Sequence, residues 1–115
     1  MFSDDPLSRR SLQRFINKNH VLYSWDYVKD TIRGALIYIP RRKNIRIYSI
    51  AVLPEYQKQG ISKILIQALP NKKLVLECKD YTVPFYEHLG FSVLKTKRNY
   101  YKNGEMAYFM EREKL

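Results

Sequence analysis

Cysteine is nearly absent from this chain: Cys78 stands alone among 115 residues. A lone cysteine closes no disulfide within the chain and builds no thiolate metal cluster, and the expected setting is a reducing cytoplasm. Histidine is almost as scarce. His20 and His88 lie far apart in sequence and neither forms a ligand pair, so no metal site is expected. No apolar run is long enough to cross a bilayer. The first residues, Met1-Phe2-Ser3-Asp4-Asp5, are acidic rather than apolar, unlike a secretory leader. Repeats, low-complexity tracts and linkers are also missing. Acidic residues number 11 against 21 Lys and Arg, which leaves a formal net charge of +10. Such a surface attracts polyanions, whether nucleic acid, ribosome, anionic membrane or a phosphorylated cofactor. Composition does not choose among these, and a solvated basic surface with no such partner fits equally well.

What is present suits one domain spanning residues 1–115. Hydrophobic residues make up 45%, and 10 tyrosines are a large share of them. That is enough apolar material for one two-layer α/β unit. The spacing of Leu12, Phe15 and Ile16 predicts a helix over residues 6–17. Strands are predicted at Val21–Trp25, Thr31–Ile39 (stopped by Pro40) and Ile45–Val52, forming an antiparallel meander. Ile61, Ile64, Leu65, Ala68 and Leu69 recur at helical spacing before Pro70. Leu74-Val75-Leu76 is an unbroken apolar core, expected to be a strand buried on both faces. A short helix follows from Val83 to Leu89, with Pro84 near its start and Gly90 at its end. Phe91–Tyr100 and Met106–Glu111 are predicted to pair across Lys102-Asn103-Gly104-Glu105. The order is αβββαβαββ, and strand–helix–strand in its middle implies one parallel pair inside a mixed sheet.

Gln57-Lys58-Gln59-Gly60-Ile61-Ser62 sits between a strand and the start of a helix. Unpaired backbone N–H groups and the helix dipole converge at such a point, so an anion binds there without needing side chains. Gly60 permits close approach of the backbone, Ser62 is small, and Lys58 adds positive charge. Taken alone, one glycine before a helix is equally an ordinary strand-to-helix connection.

The run from Tyr48 to Ile66, which carries Val52-Leu53-Pro54-Glu55-Tyr56 and then Gln57-Lys58-Gln59-Gly60-Ile61-Ser62, resembles the acyl-CoA motif of the GNAT superfamily of N-acyltransferases. Ser62 stands where that motif usually ends in Gly or Ala. Ile32-Arg33-Gly34-Ala35 resembles the superfamily's Val-Gly strand start, and Phe85-Tyr86-Glu87-His88-Leu89-Gly90-Phe91 its Phe-Tyr-x-x-x-Gly-Phe element. The tail from Arg98 to Met110 is similar to the ending of ribosomal-protein-alanine and other protein N-terminal acetyltransferases. The resemblance covers the chain from about Val21 onward. It implies a GNAT-like mixed α/β fold, truncated before the superfamily's second strand, with part of the helical layer on the substrate side missing.

The same resemblance implies an activity: direct transfer of an acetyl group from acetyl-CoA to a primary amine, which is a protein N-terminus, a lysine or a small amine. Acetyl-CoA would lie along Ile50, Ala51, Val52 and Leu53, with the Val52 or Leu53 amide facing the thioester carbonyl. Its pyrophosphate would meet Gln57, Lys58, Gln59, Gly60, Ile61, Ser62 and Lys63. Tyr86 matches the tyrosine that protonates the leaving thiolate, and is otherwise a core aromatic. Glu77 matches a glutamate that accepts the amine proton, and is otherwise a solvated acid paired with Lys79. Cys78 is a structural residue or the nucleophile of a covalent route. Tyr100 and Tyr101 resemble residues lining the peptide entrance, or form a cross-strand pair. The superfamily's pantetheine-binding Asn has no match, Lys79 or Asp80 falling nearby. An edge at Val21–Trp25 suggests a homodimer that completes the cleft. The alternative function is a CoA-binding module without turnover that regulates a partner, or one that docks on nucleic acid or ribosome through Arg9, Arg10, Arg14, Arg41, Arg42 and Lys43.

Overall fold

The computed structural model of the chain describes residues 20–113; the helix expected over residues 6–17 lies outside them. Along the described residues run strands β1 (Val21–Asp26), β2 (Thr31–Pro40) and β3 (Asn44–Val52), helix α1 (Ile61–Gln67), strand β4 (Lys73–Cys78), helix α2 (Val83–His88), and strands β5 (Ser92–Lys97) and β6 (Ala107–Arg112). Single 3-10 turns occupy Pro54–Tyr56 and Asp80–Thr82. The described residues fall into two compact units, residues 20–40 with 47–70 and residues 41–46 with 71–113.

In the first unit the strand order is β1-β2-β3. β1 pairs antiparallel with β2 from Val21↔Ile37 to Asp26↔Thr31, with a bulge at Ser24/Trp25. The connection is built by Asp26, whose Oδ1 accepts the N–H groups of Val28 and Lys29 at 3.0 and 3.1 Å. This is the local turn that Asp favours over a continued strand. Asp30 then takes φ 53° and starts β2. Helix α1 buries Ile61, Leu65 and Ile66, and Leu69 is buried just beyond it. Ile64 and Ala68 were expected on that face but are exposed, because the buried arc centres on Leu65 and Leu69.

In the second unit the order is β3-β4-β6-β5. The parallel pair inferred from strand–helix–strand order is present: Asn44↔Lys73, Ile45↔Leu74 and Arg46↔Val75. β4 is not buried on both faces as its apolar run suggested. Leu74, Leu76 and Cys78 are buried, while Lys73, Val75 and Glu77 between them are only half-buried. The period-two pleat sends alternate residues to opposite faces, and only one of these is core. β6 runs antiparallel to β4, with Leu76↔Met110 and Glu77↔Phe109, and β5 antiparallel to β6. β5 ends at Lys97 rather than Tyr100. Asn99 takes φ 52°, the N–H groups of Tyr100 and Tyr101 both donate to the Glu105 carbonyl, and the Gly104 N–H donates to the Tyr101 carbonyl. The hairpin connection is therefore longer than the four residues expected, and both tyrosines lie in it.

Candidate acyl-carrier and acceptor sites

In the first unit β3 delivers Ile50, Ala51, Val52 and Leu53 to the 3-10 turn Pro54–Tyr56 and then to the loop. Lys58 and Gly60 both adopt left-handed backbone, φ 67° and 77°. Gly60 is the N-cap of α1, and its carbonyl accepts the Ile64 N–H at 3.0 Å. A Cβ placed on Gly60 meets nothing within 4 Å, so the corner is open space rather than packed side chain. Two glutamines turn back onto the strand side of the loop: Gln57 Nε2 donates to the Val52 carbonyl at 3.1 Å, and Gln59 Nε2 to the Glu55 carbonyl at 3.2 Å. Lys58, Gln59, Gly60 and Lys63 are exposed, Gln57 and Ser62 half-buried, and Ile61 buried as the first anchor of α1.

Three supports under this loop were not apparent from sequence. Gly34 lets β2 approach so closely that a Cβ there would lie 2.8 Å from the Ala51 carbonyl oxygen and 3.3 Å from Ile61 Cγ2. The Leu53 N–H donates to the Arg33 carbonyl at 2.9 Å. Tyr56, buried, donates its hydroxyl to Asp26 Oδ2 at 2.6 Å, and the Arg33 guanidinium lies 5.9 Å from the centre of its ring. The hydrogen bond from Tyr56 holds the Asp26 carboxyl below its ordinary 3.8, helped by the Lys29 and Val28 amides and by Arg33, and opposed by burial. The same bond, then burial and the negative charge of Asp26, raises the Tyr56 phenol above 10.0.

In the second unit Glu77 is held at both oxygens. Arg46 Nη2 donates to Oε1 at 3.1 Å and Tyr100 OH to Oε2 at 2.9 Å. The expected alternative partner, Lys79, instead meets Glu105 at 3.4 Å. Sequence neighbourhood suggested Lys79. However, Lys79 lies past the end of β4 and turns to Glu105, whereas the parallel register brings Arg46 opposite Val75, which shares a sheet face with Glu77. Only knowledge of that register could have found Arg46. Tyr100 and Tyr101 pack edge to face at 5.2 Å, and Tyr100 also packs on Phe109 at 5.6 Å.

Tyr86 lies on α2 and is 6% exposed, set edge-on to Phe85 and Phe91. The helix end fixes it. Gly90, at φ 95°, donates its N–H to Glu87, and Phe91 donates its N–H to the Tyr86 carbonyl at 3.0 Å. This is a Schellman closure with its apolar contact between Phe91 and Tyr86. Cys78 is buried, its Sγ 3.7 Å from Met110 Sδ. No group of three or more His, Cys, Asp or Glu able to hold a metal occurs among the described residues.

Comparison with known proteins places this architecture. The model of the acetyltransferase (GNAT) domain family matches residues 1–114. An N-alpha-acetyltransferase of Saccharolobus solfataricus is 36% identical, over 57% of this chain and 46% of that protein. The chain thus spans about half the length of the curated relatives it matches. Among solved structures, Ard1 from Thermoplasma volcanium superposes with a TM-score of 0.78 at 21% identity, covering 97% of this chain and 83% of that one. The NatC complex bound to Gag peptide and CoA does so at 0.76 and 22%, with the same coverage. These structural likenesses establish the mixed-sheet acetyltransferase fold. The strand order, the parallel pair that interrupts antiparallel neighbours, and the match along nearly the whole sequence agree, and the chain belongs to the GNAT acetyltransferase family.

Proposed function

We propose that this protein is an N-acetyltransferase that moves an acetyl group from acetyl-CoA to a primary amine by direct transfer, in one domain that takes in both units. The observation that carries this reading is the open left-handed corner at Gly60, at the positive end of α1. The residues present fit a pyrophosphate. A side chain at Gly60 would occupy the approach, Lys58 and Lys63 supply exposed positive charge, and the first N–H groups of a helix lack intrahelical acceptors. Gln57, Lys58, Gln59, Gly60, Ile61, Ser62 and Lys63 would hold the diphosphate, with Ile50, Ala51, Val52 and Leu53 along the carrier arm. Bound acetyl-CoA would supply the acetyl group as an activated thioester. Of the two amides considered for the thioester oxygen, Leu53's is already donated to Arg33, which supports Val52.

Glu77 would accept the proton lost by the attacking amine, through a water molecule. Arg46 and Tyr100 keep the carboxylate oriented, and each oxygen retains a second lone pair. As the new C–N bond forms and the C–S bond breaks, Tyr86 would give its phenolic proton to the leaving thiolate. Tyr100 and Tyr101 would border the acceptor. Burial of Cys78 against Met110 favours its structural role over that of nucleophile. The curated relatives' names, N-alpha-acetyltransferase, favour a protein N-terminus as acceptor.

Acetyl-CoA binding measured by isothermal titration tests the corner. Gly60→Trp and Lys58→Glu should abolish it, and a wild-type protein that binds no acetyl-CoA would overturn the assignment. Turnover on N-terminal peptides should fall about 100-fold or more in Glu77→Gln and Tyr86→Phe. We further infer a cytoplasmic setting, supported by the single buried Cys78, which has no second cysteine in the chain to pair with; among the described residues no helix is long and apolar enough to cross a membrane. A second copy pairing along β1, which is outermost in its unit and exposes Tyr23, is supported by that edge.

A further inference from the structure

In the second unit a row of side chains runs across three strands on one sheet face: Glu77 on β4 lies opposite Phe109 on β6, which lies opposite Lys95 on β5. Tyr100 joins the row by packing on Phe109 and by its bond to Glu77. Each ring carries an ammonium group. Lys95 Nζ is 5.2 Å from the Phe109 centroid, Lys97 Nζ 5.6 Å from that of Tyr100, and Lys79 Nζ 5.0 Å from that of Tyr101. The cations are not equivalent. Arg46 is balanced by Glu77 and Lys79 by Glu105. Lys95 and Lys97 are exposed and meet no carboxylate among the described residues. Surplus positive charge therefore stands beside the proposed base, on a strand whose six residues are all exposed.

Resting on the acetyltransferase assignment above, we propose that this face reads carboxylates on the acceptor chain beyond its reacting amine, so that the preferred acceptor is an acidic peptide N-terminus. The cation–π contacts hold the two free ammonium groups on rigid aromatic supports and so lower the entropic cost of pairing them. A polyamine or a basic peptide is repelled by the same pair. Single-stranded nucleic acid is the competing polyanion. It needs open ring faces for base stacking, and here the rings pack edge to face at 86° and 87° with ammonium groups over them.

The test uses the full chain, acetyl-CoA and three N-terminal peptides that differ only at their second and third residues: two glutamates, two glutamines or two lysines. The glutamate peptide should show a KM about tenfold below the glutamine peptide, with the lysine peptide poorest, and the gap should shrink in high salt. Lys95→Gln with Lys97→Gln should erase the gap while leaving turnover of the glutamine peptide within about twofold. Lys95→Arg with Lys97→Arg should retain it, which separates loss of charge from loss of fold. Equal turnover of all three peptides would overturn the acidic preference and leave the acetyltransferase standing. Acetyl-CoA binding with no turnover of any peptide or small amine would overturn both. A single-stranded oligonucleotide that binds more tightly than the glutamate peptide, and loses affinity in the double Gln variant, would assign the face to nucleic acid instead.

Discussion

Asp26 shows how much a single carboxylate can carry. It closes the β1–β2 turn with one oxygen and holds Tyr56 with the other. Because its folded pKa lies below its ordinary value, the native state binds fewer protons there than the unfolded chain. Its stabilisation is therefore fully present above about pH 4 and is lost as pH falls through the depressed folded value. Thermal melts of wild type should lose stability across that acid window, and Asp26→Asn should have a lower midpoint at neutral pH and a shallower acid slope. Tyr56 has the opposite sense. Its raised phenol contributes below pH 10 and ceases to contribute as pH rises through the folded value, a limb that Tyr56→Phe should remove. Gly34 is a matter of space alone. Gly34→Ala forces a methyl group to within 2.8 Å of a backbone carbonyl and should cost about 1–3 kcal/mol in denaturant melts. It should also weaken acetyl-CoA binding, because the displaced atoms belong to Ala51 and Ile61.

The elements are short, and their ends do much of the positioning. Helix α2 has six residues, too few to persist by propensity alone. Pro84 near its start and the Gly90 closure define it. Gly90→Ala places an L side chain in left-handed backbone, at about 1–2 kcal/mol, with only the flexible Arg112 side chain nearby to yield. Since the Phe91 N–H answers the Tyr86 carbonyl, the same variant should lower turnover more than acetyl-CoA affinity, read as kcat against Kd. The β5–β6 connection, from Lys97 to Ala107, is longer than its turn residues predict. Asn-Gly within Lys102-Asn103-Gly104-Glu105 does mark a turn, but Asn99 leaves the extended region first, and Tyr100 is thereby free to bend back to Glu77 rather than continue the strand.

At the scale of the whole molecule, the net charge of +10 acts on rates rather than on fold. Association of acetyl-CoA, itself polyanionic, should slow steeply between low and physiological salt in stopped-flow measurements, while intrinsic turnover of bound substrate should change little. Much of this molecule was legible beforehand. The Val52-to-Ser62 run, the Phe85-to-Phe91 element and the helix and strand periods determined the family, the element order and the parallel pair, because local backbone preferences and a glycine-bearing strand-to-helix turn are written in contiguous residues. What only the tertiary structure decided was which distant side chains meet. Arg46 reaches Glu77 across 31 positions and Tyr56 reaches Asp26 across 30, and three lysines settle on three rings. Strand register sets the meetings of Arg46 with Glu77 and of Lys95 with Phe109, where a shift of one residue would turn a partner to the opposite face, and the others depend on where turns and loops carry Tyr56, Lys79, Tyr100 and Tyr101.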